Sequence, residues 1–425
     1  MTAPTPPTGP HRPDVLVVGG GIGGLSTAFA LTRAGLRVRV LERAEEFGEV
    51  GAGIQLAPNC TRILDDYGLL DEARSLGVLP EAMVMRDALD ARELTRLDLS
   101  DLERRYGYPY LVIHRSDLHA LLLRACRAAG VELCTGRKVV GYENTGAGAR
   151  IRLADGRTDE AALVVAADGL HSVARREFVG DDVVSSRYVA YRAAVPIERV
   201  RGNGVAEKDV VVYVGPRCHF VQYPLRGGEM LNQVAVFASP SADASPAGAA
   251  GAAGATGDAR WGGPEELDAA FEATCDTVRR GIPLMWRDRW WQMLDRDPVD
   301  TWVHGRVALL GDAAHPPLQY MAQGAIMAIE DGWVLAHHLT RTAPDRDAAL
   351  AAYQAVRVEH CRRVQTTARA WGELWHLEGG ERLRRNAVMR ARDTYDYGFT
   401  DWVYGPTALT PDQEPAMFTP IPLGA

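Results

Sequence analysis

Hydrophobic positions in the first third of the chain recur in short runs that alternate with amphipathic stretches. The β-branched run at Val15–Val18 predicts a buried strand, and a strand–helix–strand pattern continues to about Met83. After a less helical stretch, Ser116 can cap a helix whose apolar face includes Leu118 and Leu122. Three further runs then predict strands, at 131–134, 139–143 and 149–153. This alternation is typical of an α/β domain.

The middle of the chain changes to β-rich alternation with little helix. From Tyr188 to about Phe237 the apolar and polar positions alternate with a period of two, which predicts a separate antiparallel sheet inserted into the α/β domain. Residues 238–263 are dominated by Ala, Gly, Ser and Pro and predict a surface loop of low complexity. Helical patterns resume near Pro264 and dominate from Asp331 to Tyr404.

A glycine-rich turn follows the first predicted strand. Its sequence is Gly19-x-Gly21-x-x-Gly24, and the next predicted strand ends at Glu42. Gly19 permits a tight turn, Gly21 lets the backbone approach a pyrophosphate, and Gly24 allows close packing of helix on strand. The helix N-terminus then faces an anion, while Glu42 can accept hydrogen bonds from ribose hydroxyls. Such a glycine motif alone is weak evidence for a dinucleotide site. Here it occurs together with both strands, the helix and the terminal acid, and this combination favours a dinucleotide site over a plain turn.

Composition and charge narrow the class of protein. A chain of 425 residues can bury a sizeable core in two or more domains. Its net charge of -8 gives no electrostatic reason to bind nucleic acid or an anionic membrane. The N-terminal residues lack a signal-peptide pattern, and no apolar run approaches the length of a membrane span. The six cysteines show neither a CxxC pair nor zinc spacing, so we expect a reduced cytoplasmic protein with no metal site.

Two later segments each break an apolar strand at a turn of glycine and aspartate. The first, LVVAADG, breaks at Asp168 and Gly169, and by itself is as well explained by an ordinary loop. The second, GRVALLGDAAHPPLQYMAQG, breaks at Gly311 and Asp312 and leads into a helix that begins near Gly324. The free N–H groups and positive dipole end of such a helix suit an anionic, reduced flavin ring.

These three segments in this order resemble the class A flavin-dependent aromatic hydroxylases, of the para-hydroxybenzoate and salicylate hydroxylase type. The resemblance covers about Asp14 to Gly405 and includes Arg175 downstream of the second segment. It implies FAD as cofactor, NADH or NADPH and O2 as co-substrates, and chemistry through a flavin C4a-hydroperoxide shielded from water. The residues it implies for cofactor binding are Gly19, Gly21, Gly24, Glu42, Arg43, Arg115, Asp168, Gly169, Asp312, Gly324 and Ala325.

The expected fold class is therefore α/β: a FAD-binding Rossmann-like domain, an inserted, mainly antiparallel β-sheet substrate domain and a helical C-terminal part. We expect a disordered tail at 1–13 and a helical region and tail at 373–425. The FAD-binding domain is expected to comprise 14–85, 110–185 and 300–372, and the substrate domain 86–109 and 186–299, including the flexible loop 238–263.

Hydroxylation of a phenol requires a base, because a phenol becomes a stronger carbon nucleophile when it loses its proton. Of the eleven histidines, His219 stands out because HFVQY lies on a strand of the inserted sheet. A period of two places His219, Val221 and Tyr223 on one face, although a half-buried polar pair is an equally good interpretation of this spacing. For His315, bracing the GDAAHPP loop is at least as good an interpretation as catalysis. His376 falls in the helical C-terminal part, where an exposed or core role is expected.

The segments HFVQYPLRGGE, HPPLQY and IHRSDLH resemble members of the salicylate hydroxylase-like group that act on 3-hydroxybenzoate. The resemblance implies that His219 removes the hydroxyl proton, that Gln319 bonds the same oxygen and that Tyr223 orients the ring or carboxylate. It implies conversion of 3-hydroxybenzoate to 2,5-dihydroxybenzoate, also called gentisate, by an expected homodimer. This small aromatic acid is the expected substrate.

Other functions remain open from the residues alone. Hydroxylation of salicylate at C1 to give catechol uses the same scaffold, and a hydroxynicotinate would also suit a histidine and tyrosine pair. A tailoring epoxidase or hydroxylase of a larger aromatic compound would require a wider pocket. A non-catalytic FAD-binding sensor is the most distant alternative.

Overall fold

The structure, a computed structural model, describes seven segments of the chain: 12–48, 51–180, 182–202, 204–205, 207–243, 261–342 and 345–410. Residues 1–11 of the predicted N-terminal tail, residues 244–260 of the predicted loop and residues 411–425 of the predicted C-terminal tail lie outside the described residues.

Eighteen strands form in the described residues. They are β1 (Val15–Val18), β2 (Val38–Leu41), β3 (Gly53–Leu56), β4 (Ala82–Asp87), β5 (Glu93–Asp98), β6 (Leu111–His114), β7 (Glu132–Cys134), β8 (Val139–Thr145), β9 (Gly148–Leu153), β10 (Thr158–Ala161), β11 (Leu163–Ala166), β12 (Val183–Pro196), β13 (Val210–Gly215), β14 (Cys218–Leu225), β15 (Met230–Ala238), β16 (Trp291–Arg296), β17 (Val303–His304) and β18 (Val307–Leu309).

Thirteen α-helices form in the same residues. They are α1 (Ile22–Arg33), α2 (Pro58–Asp66), α3 (Leu70–Leu76), α4 (Leu99–Tyr106), α5 (Arg115–Ala128), α6 (Val173–Phe178), α7 (Pro240–Asp243), α8 (Pro264–Phe271), α9 (Asp276–Gly281), α10 (Gly324–His337), α11 (Arg346–Trp375), α12 (Gly379–Ala391) and α13 (Asp401–Tyr404). Among the described residues, no helix combines the length and the apolar character that crossing a membrane requires.

A six-stranded sheet in the order β17-β18-β11-β1-β2-β7 forms the centre of the α/β part. The pairs β1–β2, β1–β11, β11–β18 and β2–β7 are all parallel. Strands β1, β11 and β18 are buried along their whole length, as expected for the middle of a parallel sheet covered on both faces. The carboxyl ends of these three strands carry the three glycine-containing turns, so the sheet brings the turns to one edge.

Helices α1 and α10 pack closely beside this edge because small residues line their contact. A Cβ atom on Gly23 would lie 2.8 Å from the Cβ of Ala328, and one on Gly332 would lie 2.4 Å from the Oγ1 of Thr27. Both helices begin without a side-chain cap, at Gly21 and Gln323. Two helix N-termini with uncapped N–H groups therefore open onto the same cleft.

A seven-stranded sheet in the order β16-β12-β15-β14-β13-β4-β5 forms the second layer, and only its β13–β4 pair is parallel. One face of β14, which includes Phe220, packs on a separate apolar core with β15, α8 and α9. The opposite face, with His219, Val221 and Tyr223, is turned toward a cavity shared with the α/β part. The alternation of faces that the sequence predicts is present in the structure.

The predicted cap of the helix after β6 is wrong by two residues. Helix α5 begins at Arg115, and its N-cap is His114, whose Nδ1 accepts a hydrogen bond of 3.3 Å from the backbone N–H of Ser116. The imidazole ring substitutes for the hydroxyl expected at this position, because a neutral ring nitrogen is also a hydrogen-bond acceptor.

Candidate active site

A cavity of about 550 Å³ runs from the N-termini of α1 and α10 to the inner face of the seven-stranded sheet. Ten of the predicted site residues line it. They are Gly21, Gly24, Arg115, Gly169, His219, Tyr223, Asp312, Gln319, Gly324 and Ala325. The other four predicted cofactor residues, Gly19, Glu42, Arg43 and Asp168, do not line it.

The glycine-rich turn is shaped by close backbone contacts. Gly19 has a φ of +108°, and a Cβ there would lie 2.2 Å from the carbonyl oxygen of Ala167. A Cβ on Gly24 would lie 1.9 Å from the carbonyl oxygen of Gly19. No side chain fits at either position, so the turn can fold tightly and direct the first N–H groups of α1 into the cavity. This arrangement fits a bound pyrophosphate.

Glu42 at the end of β2 braces this turn. Its Oε2 accepts a hydrogen bond of 2.7 Å from the N–H of Gly20, and its Oε1 accepts one of 2.8 Å from the N–H of Ala44. The neighbouring Arg43 is exposed. The carboxylate is thus placed at the strand end as the sequence predicts.

The second turn is held by Asp168. Its Oδ2 accepts hydrogen bonds from the Tyr142 hydroxyl, at 3.1 Å, and from the N–H of Val173, at 2.9 Å. Gly169 has a φ of +78° and itself lines the cavity. Asp168 therefore fixes the start of α6, while Gly169 brings the backbone to the cleft.

The third turn rests on a buried ionic cluster. The Oδ2 of Asp331 accepts hydrogen bonds from the N–H of Gly311, at 3.0 Å, and from the Nε2 of His315, at 2.6 Å. Arg357 donates to Asp331 and Glu330, both at 2.8 Å. Arg175 adds a bond of 2.7 Å to the carbonyl oxygen of Ala314.

These contacts set the charges of the cluster. Burial alone would raise the pKa of the Asp331 carboxyl, but His315 and Arg357 lower that pKa to about 2. Burial alone would lower the pKa of His315, but Cys361 and Asp331 hold it well above its ordinary value. His315, Asp331 and Cys361 have the residue types of a metal site. Arg357 already supplies a cation to them, so the cluster acts as an ionic brace for the turn. His315 itself does not line the cavity.

His219 and Tyr223 project from β14 into the cavity, with Val221 between them. His219 is only 1 % exposed, and burial together with His376 lowers its pKa well below the ordinary value. Its Nδ1 lies 2.8 Å from the Nε2 of His376. Burial raises the pKa of Tyr223, so its hydroxyl stays protonated and can donate a hydrogen bond.

Arg192 is a cavity residue that the sequence analysis missed. It lies on β12, opposite Val234 of β15, which in turn lies opposite Val221 of β14. Two strand spacings therefore separate the backbones of Arg192 and Val221 by about 10 Å. The sequence did contain one signal. Arg192 is a charged residue within the apolar run YVAYRAAV, and side chains that alternate along a strand place it on the inward face.

The guanidinium of Arg192 has no carboxylate partner within ion-pair distance among the described residues. Its Nη2 donates to the Oε1 of Gln319 at 3.1 Å, and its Cζ lies 5.7 Å from the ring centre of Trp291. Burial lowers its pKa, and Arg115 adds a second positive charge nearby. An enclosed cation that lacks an anion costs free energy, and an anionic ligand would remove that cost.

The contact with Arg192 also orients Gln319. Because the Oε1 atom accepts from Arg192, the Nε2 atom is left to donate a hydrogen bond. The cavity thus presents one neutral base at His219 and three donors, at Arg192, Gln319 and Tyr223. Such a set suits a phenol that also carries an acid group.

Known proteins resemble this chain in sequence and in structure. The FAD binding domain family matches residues 12–368. A 3-hydroxybenzoate 6-hydroxylase of Polaromonas naphthalenivorans (strain CJ2) is 39% identical over 402 residues, which cover 92% of this chain and 95% of the relative. A 3-amino-4-hydroxybenzoate 2-monooxygenase of Streptomyces cremeus is 38% identical, with 94% and 96% covered.

Among solved structures, a salicylate hydroxylase in complex with its substrate superposes with a TM-score of 0.75 at 25% identity. The superposition covers 92% of this chain and 95% of that structure.

Proposed function

The chain belongs to the FAD binding domain family, and from that premise we propose that it hydroxylates 3-hydroxybenzoate at C6 to give 2,5-dihydroxybenzoate. FAD is its cofactor, and NAD(P)H and O2 are its co-substrates. The observation that carries the proposal is the pairing, in one cavity, of a neutral histidine with an arginine that lacks a carboxylate partner among the described residues. His219 suits the hydroxyl of the substrate, and Arg192 suits its carboxylate.

The residues on the other side of the cavity fit FAD. The backbones of Gly21 and Gly24 would hold the pyrophosphate at the start of α1, with Arg115 and Asp312 along the cleft and Gly324 at the start of α10. When bound, FAD takes reducing equivalents from NAD(P)H and activates O2 for transfer to an electron-rich ring.

His219 removes the proton of the substrate hydroxyl. Its lowered pKa keeps the imidazole neutral near pH 7, so a ring nitrogen is free to accept a proton. Loss of that proton raises the electron density of the ring at the carbon para to the hydroxyl, which is C6 in 3-hydroxybenzoate. Gln319 donates its Nε2 hydrogen to the same oxygen and stabilises the phenolate.

Arg192 and the protonated Tyr223 hold the carboxylate. A guanidinium binds a carboxylate through a charge-assisted hydrogen bond, which is stronger than a bond between neutral groups. Because Arg192 and His219 stand on separate strands, they fix the ring at two points, and this sets which carbon is presented for hydroxylation.

A screen of NADH and NADPH oxidation with 2-, 3- and 4-hydroxybenzoate, followed by identification of the product, tests the proposal. We expect the fastest substrate-dependent oxidation with 3-hydroxybenzoate and 2,5-dihydroxybenzoate as product. Formation of catechol from salicylate as the main activity, or a preference for hydroxynicotinate, would replace the proposed substrate. Absence of any stimulated oxidation would favour a non-catalytic FAD-binding role.

The need for NAD(P)H supports action in the cytoplasm, and the class of enzyme supports a homodimer. Light scattering of the holoenzyme measures its mass in solution, and a mass equal to one chain would reject the homodimer.

A further inference from the structure

A second histidine stands directly behind His219. His376 follows the last residue of α11, and its Nε2 lies 2.8 Å from the Nδ1 of His219. The two rings are nearly parallel, with an angle of 19° and centres 5.1 Å apart. The ring of His376 also stacks on Tyr188 at 4.3 Å. These contacts hold His376 in one orientation, with a shared hydrogen between the two imidazoles.

The shared hydrogen decides which tautomer is useful. His219 can accept a proton from the substrate only at Nε2, because Nδ1 is engaged with His376. In that state Nδ1 of His219 carries the hydrogen and donates it to Nε2 of His376. His376 therefore fixes His219 as the tautomer whose Nε2 is an acceptor.

The energetics favour a path by which the proton leaves the cavity. A phenol has an ordinary pKa of about 10, and burial lowers the pKa of His219 well below its ordinary value. Proton transfer to an isolated His219 is therefore uphill. It becomes easier if the proton continues to a group nearer to solvent, and exposure rises from 1 % at His219 to 6 % at His376.

The groups around the pair oppose a lasting positive charge. Burial, with the cations Arg385 on α12 and Arg217 on the β13–β14 turn, lowers the pKa of His376 to about 3. Tyr188 on β12, and Tyr320 and Trp375, complete the surroundings as uncharged rings. The acids of this neighbourhood are Asp87, which acts on Arg385, and Asp295, which acts on Tyr320. The pair therefore rests in the neutral form and can pass a proton without retaining it.

The geometry points to His376 as the positioning residue of a two-histidine proton relay, an inference that rests on the proposed function. The O–H bond of the substrate breaks as an N–H bond forms at Nε2 of His219. The hydrogen on Nδ1 of His219 moves to Nε2 of His376, and the hydrogen on Nδ1 of His376 passes to water. One proton leaves the cavity, and the phenolate remains.

The test follows phenolate formation without turnover. The probe is 3-hydroxy-4-nitrobenzoate, whose phenolate absorbs visible light. Because the nitro group makes its hydroxyl more acidic than an ordinary phenol, it is mixed with the oxidised holoenzyme in a stopped-flow instrument at a pH at which the free probe is still protonated. For His376→Gln we expect phenolate formation at least about 10-fold slower than in the wild type, because glutamine can accept the hydrogen from Nδ1 of His219 but cannot pass a proton on. The Kd of the probe and the FAD content should stay within about threefold of the wild type, because His376 belongs neither to the residues that bind FAD nor to those that bind the substrate.

His304→Gln is the control, since His304 is a half-buried histidine that, like His376, stacks on an aromatic ring, Phe178 at 4.9 Å, and it lies outside the cavity wall. If His376→Gln loses FAD, His376→Ala with added imidazole replaces it, and recovery of the fast phase with imidazole supports the relay. Wild-type rates in His376→Gln, or no recovery with imidazole, would overturn the relay alone. Failure of the wild type to bind the probe or 3-hydroxybenzoate would instead refute the proposed function, and the relay with it.

Discussion

The flavin cleft and the substrate chamber are two ends of one cavity, but they are assembled in different ways. The cleft is made mostly of backbone, from three contiguous turns at the carboxyl ends of β1, β11 and β18. The chamber is made of side chains from β12, β14, the turn at Gln319–Met321 and the end of α11. His219 of the chamber and His376 behind it are 157 positions apart in sequence.

This difference separates binding of the cofactor from choice of the substrate. A backbone cleft tolerates few changes, because a Cβ atom at Gly19 or Gly24 would clash with a neighbouring carbonyl oxygen. Individual chamber side chains can be exchanged while the strands that carry them stay in place. Variants of the cleft should therefore lose FAD affinity. Variants of the chamber should lose hydroxylation or affinity for the substrate while FAD stays bound.

The largest effect is expected in the cleft, for Gly24→Ala. The new Cβ would lie 1.9 Å from the carbonyl oxygen of Gly19, so the turn must open. We expect the Kd of FAD to rise beyond about 10⁴-fold, or ~5.6 kcal/mol, so that the variant purifies without FAD; titration of the apoprotein with FAD measures this. Gly146→Ala is the control, because nothing lies within 4 Å of a Cβ at that position. Unchanged FAD affinity in Gly24→Ala would show that the turn does not hold the pyrophosphate.

An intermediate effect is expected in the chamber, for His219→Gln and Gln319→Ala. Loss of the base should lower hydroxylation about 10²–10⁴-fold in His219→Gln, with a smaller loss in Gln319→Ala and with full FAD content in both. Product formation per NADH oxidised, beside the FAD absorbance of each purified variant, measures this. Turnover within threefold of the wild type in both variants would remove these residues from the chemistry.

The smallest effect is expected for Arg192→Met, which removes a charge but keeps most of the apolar stem. Loss of the contact to the carboxylate should raise KM for 3-hydroxybenzoate about 10–100-fold. The value of kcat should change little. The neutral 3-hydroxybenzamide should be affected much less. The exposed Arg199, replaced in the same way, is the control. Equal effects on acid and amide would argue against an ion pair with the substrate.

The sequence predicts the cleft well because its signals are local. Gly19 is required by its own φ of +108° and Gly24 by a contact within the turn, and Glu42 follows directly from the end of β2. The hydrogen bonds of Glu42 to the turn were not predicted, since they depend on how the loop after β2 folds back. The same limit explains the helix cap at His114, where the sequence favoured Ser116.

The chamber could be predicted only in part. The period of two along β14 places His219 and Tyr223 on one face, and the structure agrees. Arg192 was missed because its neighbours on β15 and β14 follow only from the strand order of the sheet. His376 was expected to have an exposed or core role, because nothing near it in sequence indicates that the end of α11 reaches β14. Long-range pairing is the information that local patterns lack.

A crystal structure of the oxidised holoenzyme with 3-hydroxybenzoate tests the assignment of the chamber most directly. We predict that the hydroxyl oxygen lies about 2.6–3.2 Å from the Nε2 of His219, within reach of proton transfer, and that the carboxylate faces Arg192. A ring bound in the opposite sense, with its carboxylate at His219 and its hydroxyl away from any base, would contradict the account.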